Sequence, residues 1–307
     1  MEYDLKRDFL QITDFSRDEI LSTFELCAEL KAKTKARQPH PLLQGKTLAM
    51  LFQKPSTRTR VSFETGMFQL GGHALYLSPD EIGLGTRESV ADVARVLSRF
   101  NDGIMARVFG HDIIKELAEY ASVPVLNGLS DLTHPCQILG DLFTALEHKG
   151  RHENLKIAYI GDGNNVTNSW INACVPLRLD LRIGCPQGYE PDMELVERAK
   201  ADGQSEINIY NNPYDAVRDA DIVYTDVWAS MGQEEEAEAR KKIFAPYQLN
   251  TKLVAEAAHD CIVQHCLPAH RGDEITDEVI DGPHSVVFDE AENRLHIQKA
   301  ILVKLMQ

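Results

Sequence analysis

Four consecutive hydroxyl and guanidinium residues follow a short apolar run near residue 50. The run 47–52 suits a buried strand, and the next segment reads as a helix. Free backbone N–H groups and the helix dipole favour negative charge at such a helix start, where hydroxyls and an arginine add further donors. An oxyanion site is therefore predicted here, with plain N-capping as the alternative. The residues are Ser56, Thr57, Arg58 and Thr59.

Three other short stretches combine residues that can do chemistry. They are His-Pro-Cys-Gln at 134–137, Asp-Val-Trp-Ala-Ser-Met-Gly at 226–232 and His-Cys-Leu-Pro at 265–268. The last two each follow a predicted strand. Ligands of doubly wound sheets bind beyond the carboxyl ends of strands, so both stretches stand where a site is expected.

The stretch KPSTRTRVSFE at 54–64 resembles the carbamoyl-phosphate signature shared by aspartate and ornithine carbamoyltransferases. The stretch at 134–137 is similar to the HPxQ element of the same family. By this resemblance the phosphate is held by Ser56, Thr57, Arg58, Thr59 and Arg107. The resemblance also implies that His134 and Gln137 address the carbamoyl oxygen and amide.

The stretches at 226–232 and 265–268 resemble the DxxxSMG and HCLP signatures of ornithine carbamoyltransferases, which aspartate carbamoyltransferases do not share. The resemblance implies L-ornithine as acceptor. Its ammonium would meet Asp226 and Ser230, and its carboxylate would meet Asn165 and the Met231 amide. The donor would also contact Cys266, the Leu267 carbonyl and Arg294, with Cys266 beside the attacking amine.

The implied reaction converts carbamoyl phosphate and L-ornithine into L-citrulline and phosphate by direct attack of the neutral δ-amine on the carbamoyl carbon. Attack puts negative charge on the carbamoyl oxygen and releases a phosphate dianion, so fixed donors must meet both groups. The resemblance gives catalytic roles to Arg58, Arg107, His134, Cys266 and Arg294. The implied reaction requires no metal and no organic cofactor, and it serves either arginine biosynthesis or arginine degradation.

Strand and helix patterns alternate along the chain, which predicts parallel sheets. Ser16 and Glu19 form a capping box before a helix predicted over 17–35. Strands are predicted at 47–52, 104–108, 123–126, 157–160, 181–185, 207–210, 222–225 and 261–265. The fold class is therefore α/β, with two doubly wound parallel-sheet domains and the active site in the cleft between them.

The charged stretch at 148–156 interrupts this alternation and suggests a domain boundary. We expect residues 1–147 to form the carbamoyl-phosphate-binding domain and residues 148–289 to form the ornithine-binding domain. By resemblance, a short C-terminal helix at 293–306, within a segment from about residue 290 to 307, packs back on the first domain.

Composition restricts the partners of this chain of 307 residues. Its 32 Lys and Arg stand against 47 Asp and Glu, a formal charge of -15 that disfavours nucleic-acid and anionic-membrane binding. Its six cysteines form no CxxC pair, so reduced thiols are expected. Residues 1–10 lack the apolar core of a signal peptide, and we expect a cytoplasmic protein.

The family resemblance also implies a homotrimer or an assembly of trimers. One position departs from the family pattern. Gly83 stands where the family often has a glutamine that contacts the donor across a subunit interface. This chain is expected to form the trimer without that side-chain contact.

Three other functions fit parts of the sequence. Ile160-Gly-Asp-Gly-Asn-Asn-Val166 suggests a dinucleotide-dependent oxidoreductase, but Val166 replaces the third glycine and no acid ends the next strand. A non-catalytic amino-acid-binding protein would bind ornithine without releasing phosphate. A sister transferase acting on aspartate, putrescine or an acylated ornithine would keep the donor motif and alter the 226–232 or 265–268 region.

Overall fold

The computed structural model describes residues 6–201, 204–229 and 236–307. The chain divides into two compact units, residues 1–139 with 294–307, and residues 140–293. Each unit contains one parallel sheet with interleaved helices, which confirms the predicted α/β class. The sequence placed the domain boundary at residue 147, and that boundary stays a prediction. No helix in the described ranges is long and apolar enough to cross a membrane.

The first unit is built on a four-stranded parallel sheet in the described residues. Its strands are β1 Thr47–Phe52, β2 His73–Leu77, β3 Gly103–Arg107 and β4 Val125–Leu129, in the order β2-β1-β3-β4. The strand order reverses between β1 and β3. Such a switch point opens a crevice at the carboxyl ends of the strands, where ligands bind in doubly wound folds.

The helices of the first unit are α1 Arg17–Lys35, α2 Thr57–Gln69, α3 Pro79–Ile82, α4 Val90–Phe100 and α5 His111–Tyr120, and α6 Pro135–Lys149 runs on into the second unit. Serine side chains cap the first turns of α1, α2 and α4 in the first unit. The Ser16 hydroxyl accepts from the Glu19 N–H at 3.4 Å, and the Glu19 carboxylate accepts from the Ser16 N–H at 2.8 Å. This capping box confirms the bounds predicted for α1.

Two features of the first unit were not predicted from the sequence. Strand β2 lies at the sheet edge with its side chains exposed or half-buried, and it was not predicted although residues 74–77 are a short apolar run. Gly83 ends α3 in the left-handed conformation, with φ of 50°. A glycine suits this position because a side chain there would be strained.

The second unit carries a five-stranded parallel sheet in the described residues. Its strands are β5 Lys156–Ile160, β6 Asp180–Gly184, β7 Glu206–Tyr210, β8 Ile222–Thr225 and β9 Ile262–His265, in the order β7-β6-β5-β8-β9. The order reverses between β5 and β8, which places the ligand crevice of this sheet there. The aromatic rings of Tyr159, Trp170 and Tyr224 pack in the core, with Tyr159 and Tyr224 stacked at 5.7 Å.

Short helices connect the strands of the second unit. They are α7 Asn165–Ala173, α8 Met193–Ala201, α9 Pro213–Val217, α10 Ala237–Phe244, α11 Thr251–Val254 and α12 Asp277–Ile280. Helix α7 follows β5 and so begins at the switch point of the sheet.

The last helix, α13, spans Val287–Met306 and is longer than the predicted 293–306. Its residues from Arg294 onward belong to the first unit. The buried Lys299 ammonium lies 2.7 Å from Thr34 Oγ1, 2.8 Å from Gln69 Oε1 and 3.2 Å from His40 Nε2. These contacts fix α13 against α1 and α2, and thereby the position of Arg294.

Candidate active site

The register of the first sheet brings the predicted anion-binding loop to Arg107. Phe52, the last residue of β1, pairs with Arg107, the last residue of β3. The Gln53 N–H then donates to the Arg107 carbonyl oxygen at 2.9 Å. The loop that leaves β1 and the side chain of Arg107 therefore share the switch point between the two strands.

Ser56 and Thr59 organise the first turn of α2. Ser56 is the N-cap residue, its hydroxyl lies 3.1 Å from Thr59 Oγ1, and the first turn contains no acidic residue. Two guanidinium groups reach the buried Thr59 hydroxyl, Arg107 through Nη1 at 3.5 Å and Arg294 through Nη2 at 3.5 Å. Donors and positive charge thus converge on a helix N-terminus, which is an anion-binding arrangement.

Arg294 is a buried cation without a carboxylate partner among the described residues. Its side chain is only 5% exposed, and its Nε atom has no hydrogen-bond partner there. A buried charge is costly unless it is paired and hydrogen-bonded. The first unit therefore contains a guanidinium group that an anionic ligand would satisfy.

His134 directly precedes α6, where Pro135 occupies the first helical position. The imidazole is buried, and burial holds its pKa well below 6.5, with further lowering by Arg294, Arg107 and Arg58. The ring is therefore neutral at physiological pH and has one N–H to donate.

The structure brings most of the predicted donor-binding residues to one place in the first unit. Gln137 is fully buried in the first turn of α6, and its backbone N–H donates to the His134 carbonyl oxygen at 3.1 Å. Thr57 and Arg58 are exposed at the start of α2. Arg58, Arg107 and Arg294 all lower the pKa of His134, and we refer to these three residues as the guanidinium cluster.

The second sheet aligns Asp226 with Cys266 in the same way. Thr225 at the end of β8 pairs with His265 at the end of β9. Asp226 and Cys266, which directly follow these two residues, are therefore neighbours. The Cys266 thiol donates to Asp226 Oδ1 at 2.9 Å.

The Asp226 carboxylate is a buried acceptor that several groups share. Besides the thiol, it accepts from the Val227 N–H at 2.8 Å and from the Asn164 amide nitrogen Nδ2 at 2.8 Å. A carboxylate offers about four acceptor positions. Among the described residues three donors use these positions, which leaves one for a further donor such as an ammonium group.

Cys266 is a neutral thiol in this environment. Burial raises its pKa well above 9.0, and the neighbouring Asp226 carboxylate raises it further. A thiolate nucleophile or base would need the opposite shift. Cys266 therefore acts on its surroundings as a hydrogen-bond donor.

Asn164 is a functional candidate that the sequence reasoning missed in favour of Asn165. The Asn164 side chain caps α7 by accepting from the Val166 N–H at 2.9 Å, and it also contacts Asp226. The Tyr159 hydroxyl donates to Asn164 Oδ1 at 3.2 Å. An asparagine at the predicted N-cap was the available signal. Asn165 is the first residue of α7 and is half-buried.

Backbone conformation and close packing explain the glycines after β5 without a bound dinucleotide. Gly161 has φ of 146°, and a Cβ at Gly163 would collide with the backbone of Glu190 and Pro191. Asp162 between them pairs with the buried Arg240 guanidinium, which also donates to the Trp228 carbonyl oxygen. Burial raises the pKa of Asp162 to about 6 despite this pairing. The turn is thus occupied by internal contacts.

Two predicted acceptor residues, Ser230 and Met231, lie outside the described residues. The described residues stop at Ala229 and resume at Glu236. Their roles stay predictions.

One group of three side chains in the described ranges has the composition of a metal site. Ligand atoms of Asp226, His265 and Cys266 all lie within 4.8 Å of one another. However, both ring nitrogens of His265 are engaged, Nδ1 by the Leu267 N–H at 2.9 Å and Nε2 by Glu274 at 3.0 Å. Metal binding also needs a deprotonated thiol. These contacts favour internal hydrogen bonding, and the predicted lack of a metal stays a prediction.

Family models match both halves of the chain. Residues 7–147 match the carbamoyl-P binding domain of aspartate/ornithine carbamoyltransferase. Residues 153–305 match the Asp/Orn binding domain of the same family. The two matches together cover most of the chain.

Full-length relatives agree with these matches. The chain is 55% identical over 298 residues to the ornithine carbamoyltransferase of Syntrophus aciditrophicus, which covers 97% of this chain and 99% of that protein. It is similar to the solved ornithine carbamoyltransferase from Pyrococcus furiosus, with 53% identity, a TM-score of 0.94 and coverage of 98% and 97%. It is also similar to an anabolic ornithine carbamoyltransferase from Campylobacter jejuni, with 42% identity, a TM-score of 0.92 and coverage of 97% and 98%.

Proposed function

The chain belongs to the aspartate/ornithine carbamoyltransferase family and transfers a carbamoyl group to L-ornithine, and we propose that it does so by direct attack of the neutral δ-amine on carbamoyl phosphate. The products are L-citrulline and phosphate. In this proposal, most of the donor-binding residues belong to the first unit and the acceptor-binding residues belong to the second unit.

The buried guanidinium of Arg294 is the observation that carries the donor site. It lacks a carboxylate partner among the described residues and lies against Thr59, beside the neutral His134. We assign the phosphate to Ser56, Thr57, Arg58, Thr59 and Arg107. His134 and Arg294 would meet the carbamoyl oxygen, and Gln137 and the Leu267 carbonyl are assigned to the amide. Charge that develops on the oxygen and the phosphate then finds donors that are already in position.

Asp226 is the centre of the proposed acceptor site. Its remaining acceptor position would take the α-ammonium of ornithine together with Ser230, while Asn165 and the Met231 amide take the carboxylate. Cys266 lies beside Asp226 as a neutral thiol, so it would orient the neighbouring amine without serving as its base.

A colorimetric ureido-product assay with a panel of amines tests this function. We expect rapid product formation from carbamoyl phosphate with L-ornithine, and little with aspartate, putrescine or N-acetylornithine. A higher kcat/KM for any of the other three amines would identify a sister carbamoyltransferase instead. Phosphate release without ornithine, or ornithine binding without turnover, would also refute the proposal.

His134 should act without titrating in the physiological range. Its pKa lies well below 6.5, so the imidazole stays neutral as pH rises through that value. We expect kcat/KM for carbamoyl phosphate to show no inflection from His134 between about pH 6 and 9. His134→Asn, which keeps an N–H donor but cannot titrate, is the control. An inflection near about pH 6.5 that is present in the wild type and absent from this variant would contradict the assignment.

The ornithine KM should depend on pH because the attacking amine must be neutral. A lysine-like amine has a pKa near about 10.4, so the neutral fraction rises about tenfold for each pH unit below that value. The apparent KM of ornithine should fall correspondingly between about pH 6 and 9. Cys266→Ser should keep this slope, because Cys266 is not the titrating group. A pH-independent KM in the wild type would show that the enzyme binds the charged amine.

We also propose that the chain forms a homotrimer or an assembly of trimers. Phe68 and Val61 on α2 are 81% and 52% exposed, and Leu75 on the edge strand β2 is 40% exposed. This apolar surface on the first unit suits a contact between copies. Light scattering should give a trimer or a multiple of it, and Phe68→Asp should shift the protein to smaller species. Phe288→Asp, at another exposed phenylalanine, is the control. A monomeric wild type would contradict the assembly.

The name of the Campylobacter jejuni relative favours arginine biosynthesis over degradation as the role of this chain. The cytoplasmic location stays a prediction.

A further inference from the structure

The turn after β9 depends on a hydrogen bond to an imidazole. Leu267 adopts the left-handed backbone conformation, with φ of 56°, which residues with a side chain rarely adopt. Its backbone N–H donates to His265 Nδ1 at 2.9 Å. The bond exists only while Nδ1 carries no proton. The shape of this turn is therefore coupled to the tautomer of His265.

Glu274 determines that tautomer. Its Oε1 atom lies 3.0 Å from His265 Nε2, and both side chains are fully buried. A carboxylate accepts a hydrogen bond, so Nε2 carries the ring proton and Nδ1 keeps its lone pair. The same Oε1 atom accepts from the His270 N–H at 2.5 Å. Glu274 is thus fixed by the backbone of the loop that it supports.

We propose that Glu274 is a positioning residue for carbamoyl transfer, because it holds His265 in the Nε2–H tautomer and thereby holds the Leu267 carbonyl toward the donor's amide. This inference rests on the proposed role of Leu267. If Glu274 is lost, the buried Nε2–H has no acceptor. The alternative tautomer would then place an Nδ1–H against the Leu267 N–H, and the turn would lose its bond.

Two substitutions at Glu274 test whether its hydrogen-bond-accepting oxygen or its negative charge is required. Glu274→Gln keeps an oxygen at Oε1, and the His270 N–H orients it, so we expect kinetics close to those of the wild type. Glu274→Ala removes the acceptor and should lower kcat/KM for carbamoyl phosphate by about 10- to 100-fold, the range seen when a group that orients a metal-binding histidine is lost. Equal losses in both variants would show that the charge matters and would overturn the inference.

Substitutions at His265 test the same chain of contacts from its other end. An asparagine side chain commonly accepts from the backbone N–H two residues on, as Nδ1 does here. His265→Asn should therefore retain activity and be insensitive to a second Glu274→Ala change, whereas His265→Leu should lose activity. If Glu274→Ala lowers kcat/KM by the same factor in the His265→Asn background as in the wild type, the two residues act independently and the inference fails.

Nitrogen NMR of histidine-labelled protein tests the tautomer without relying on activity. We expect the wild type and Glu274→Gln to show His265 protonated at Nε2 and unprotonated at Nδ1. A proton on Nδ1 in the wild type would overturn the inference even if ornithine is carbamoylated normally. Conversely, the expected tautomer in a protein that fails to form citrulline would count against the proposed function alone. The test stays decisive if Glu274→Ala does not fold, since the wild type and Glu274→Gln suffice.

Discussion

Replacing Arg58 with alanine should lower kcat by about 100-fold or more, because one fixed donor to developing charge is typically worth that much. Arg58 is exposed at the start of α2 and contributes to the positive potential around His134. Its truncation therefore removes charge from the donor site without opening a cavity in the core. Steady-state kinetics together with a thermal melt would show a large loss of turnover and a nearly unchanged melting temperature.

Arg60→Ala is the matched control for that variant. Arg60 is also exposed on α2, but its guanidinium pairs with Glu64 at 2.9 Å and covers the Tyr76 ring at 4.0 Å. We expect its loss to leave kcat within a small factor of the wild type. If Arg58→Ala turned over at a near-normal rate, or if both variants lost activity alike, the assigned role of Arg58 would be wrong.

Replacing Asp226 with alanine should lower kcat/KM for ornithine by about 100-fold, because hydrogen bonds to charged groups contribute about 1.5–3 kcal/mol. The variant also leaves the Val227 N–H, the Cys266 thiol and the Asn164 amide without their shared acceptor. Some loss of thermal stability is therefore expected. Kinetics measured on folded protein, with ornithine varied at saturating carbamoyl phosphate, would record the effect.

Asp215→Ala provides the control in the same unit. Asp215 lies on α9, is 45% exposed and pairs with Arg218 at 3.3 Å. Surface ion pairs of this kind contribute little. We expect its loss to change neither KM. An Asp226→Ala enzyme with a normal ornithine KM would place the acceptor's ammonium elsewhere.

The sequence predicted those elements whose pattern reflects their own burial. The strand at 47–52 and helix α1 have the predicted bounds, because an apolar run and a capping box are local signals. Strand β2, which lies at a sheet edge with exposed or half-buried side chains, was not predicted. Helix α13 was predicted too short because its first turns, from Val287 to Glu292, have no capping pattern that was recognised.

Within the candidate site, motifs identified residue types better than they identified contacts. The contact between Asp226 and Cys266 follows from the register of β8 and β9, which a single sequence does not specify. Asn164 was overlooked because its neighbour Asn165 occupies the position that the family motif suggested. The partnership of His265 with Glu274 joins residues on opposite sides of a turn, and only the folded backbone brings them together.

In the proposed site, Arg58 and Arg107 bind the donor's phosphate and Asp226 binds the α-amino group of the acceptor. Two competitive inhibitors test these two assignments separately. Inorganic phosphate competes with the donor, and 2-aminopentanoate, which lacks the reacting amine, competes with ornithine. Their inhibition constants should be measured in the wild type, Arg58→Ala and Asp226→Ala. We predict that Arg58→Ala weakens phosphate alone and that Asp226→Ala weakens 2-aminopentanoate far more than phosphate. Equal weakening of both inhibitors in each variant, or the reverse pattern, would contradict the assignment.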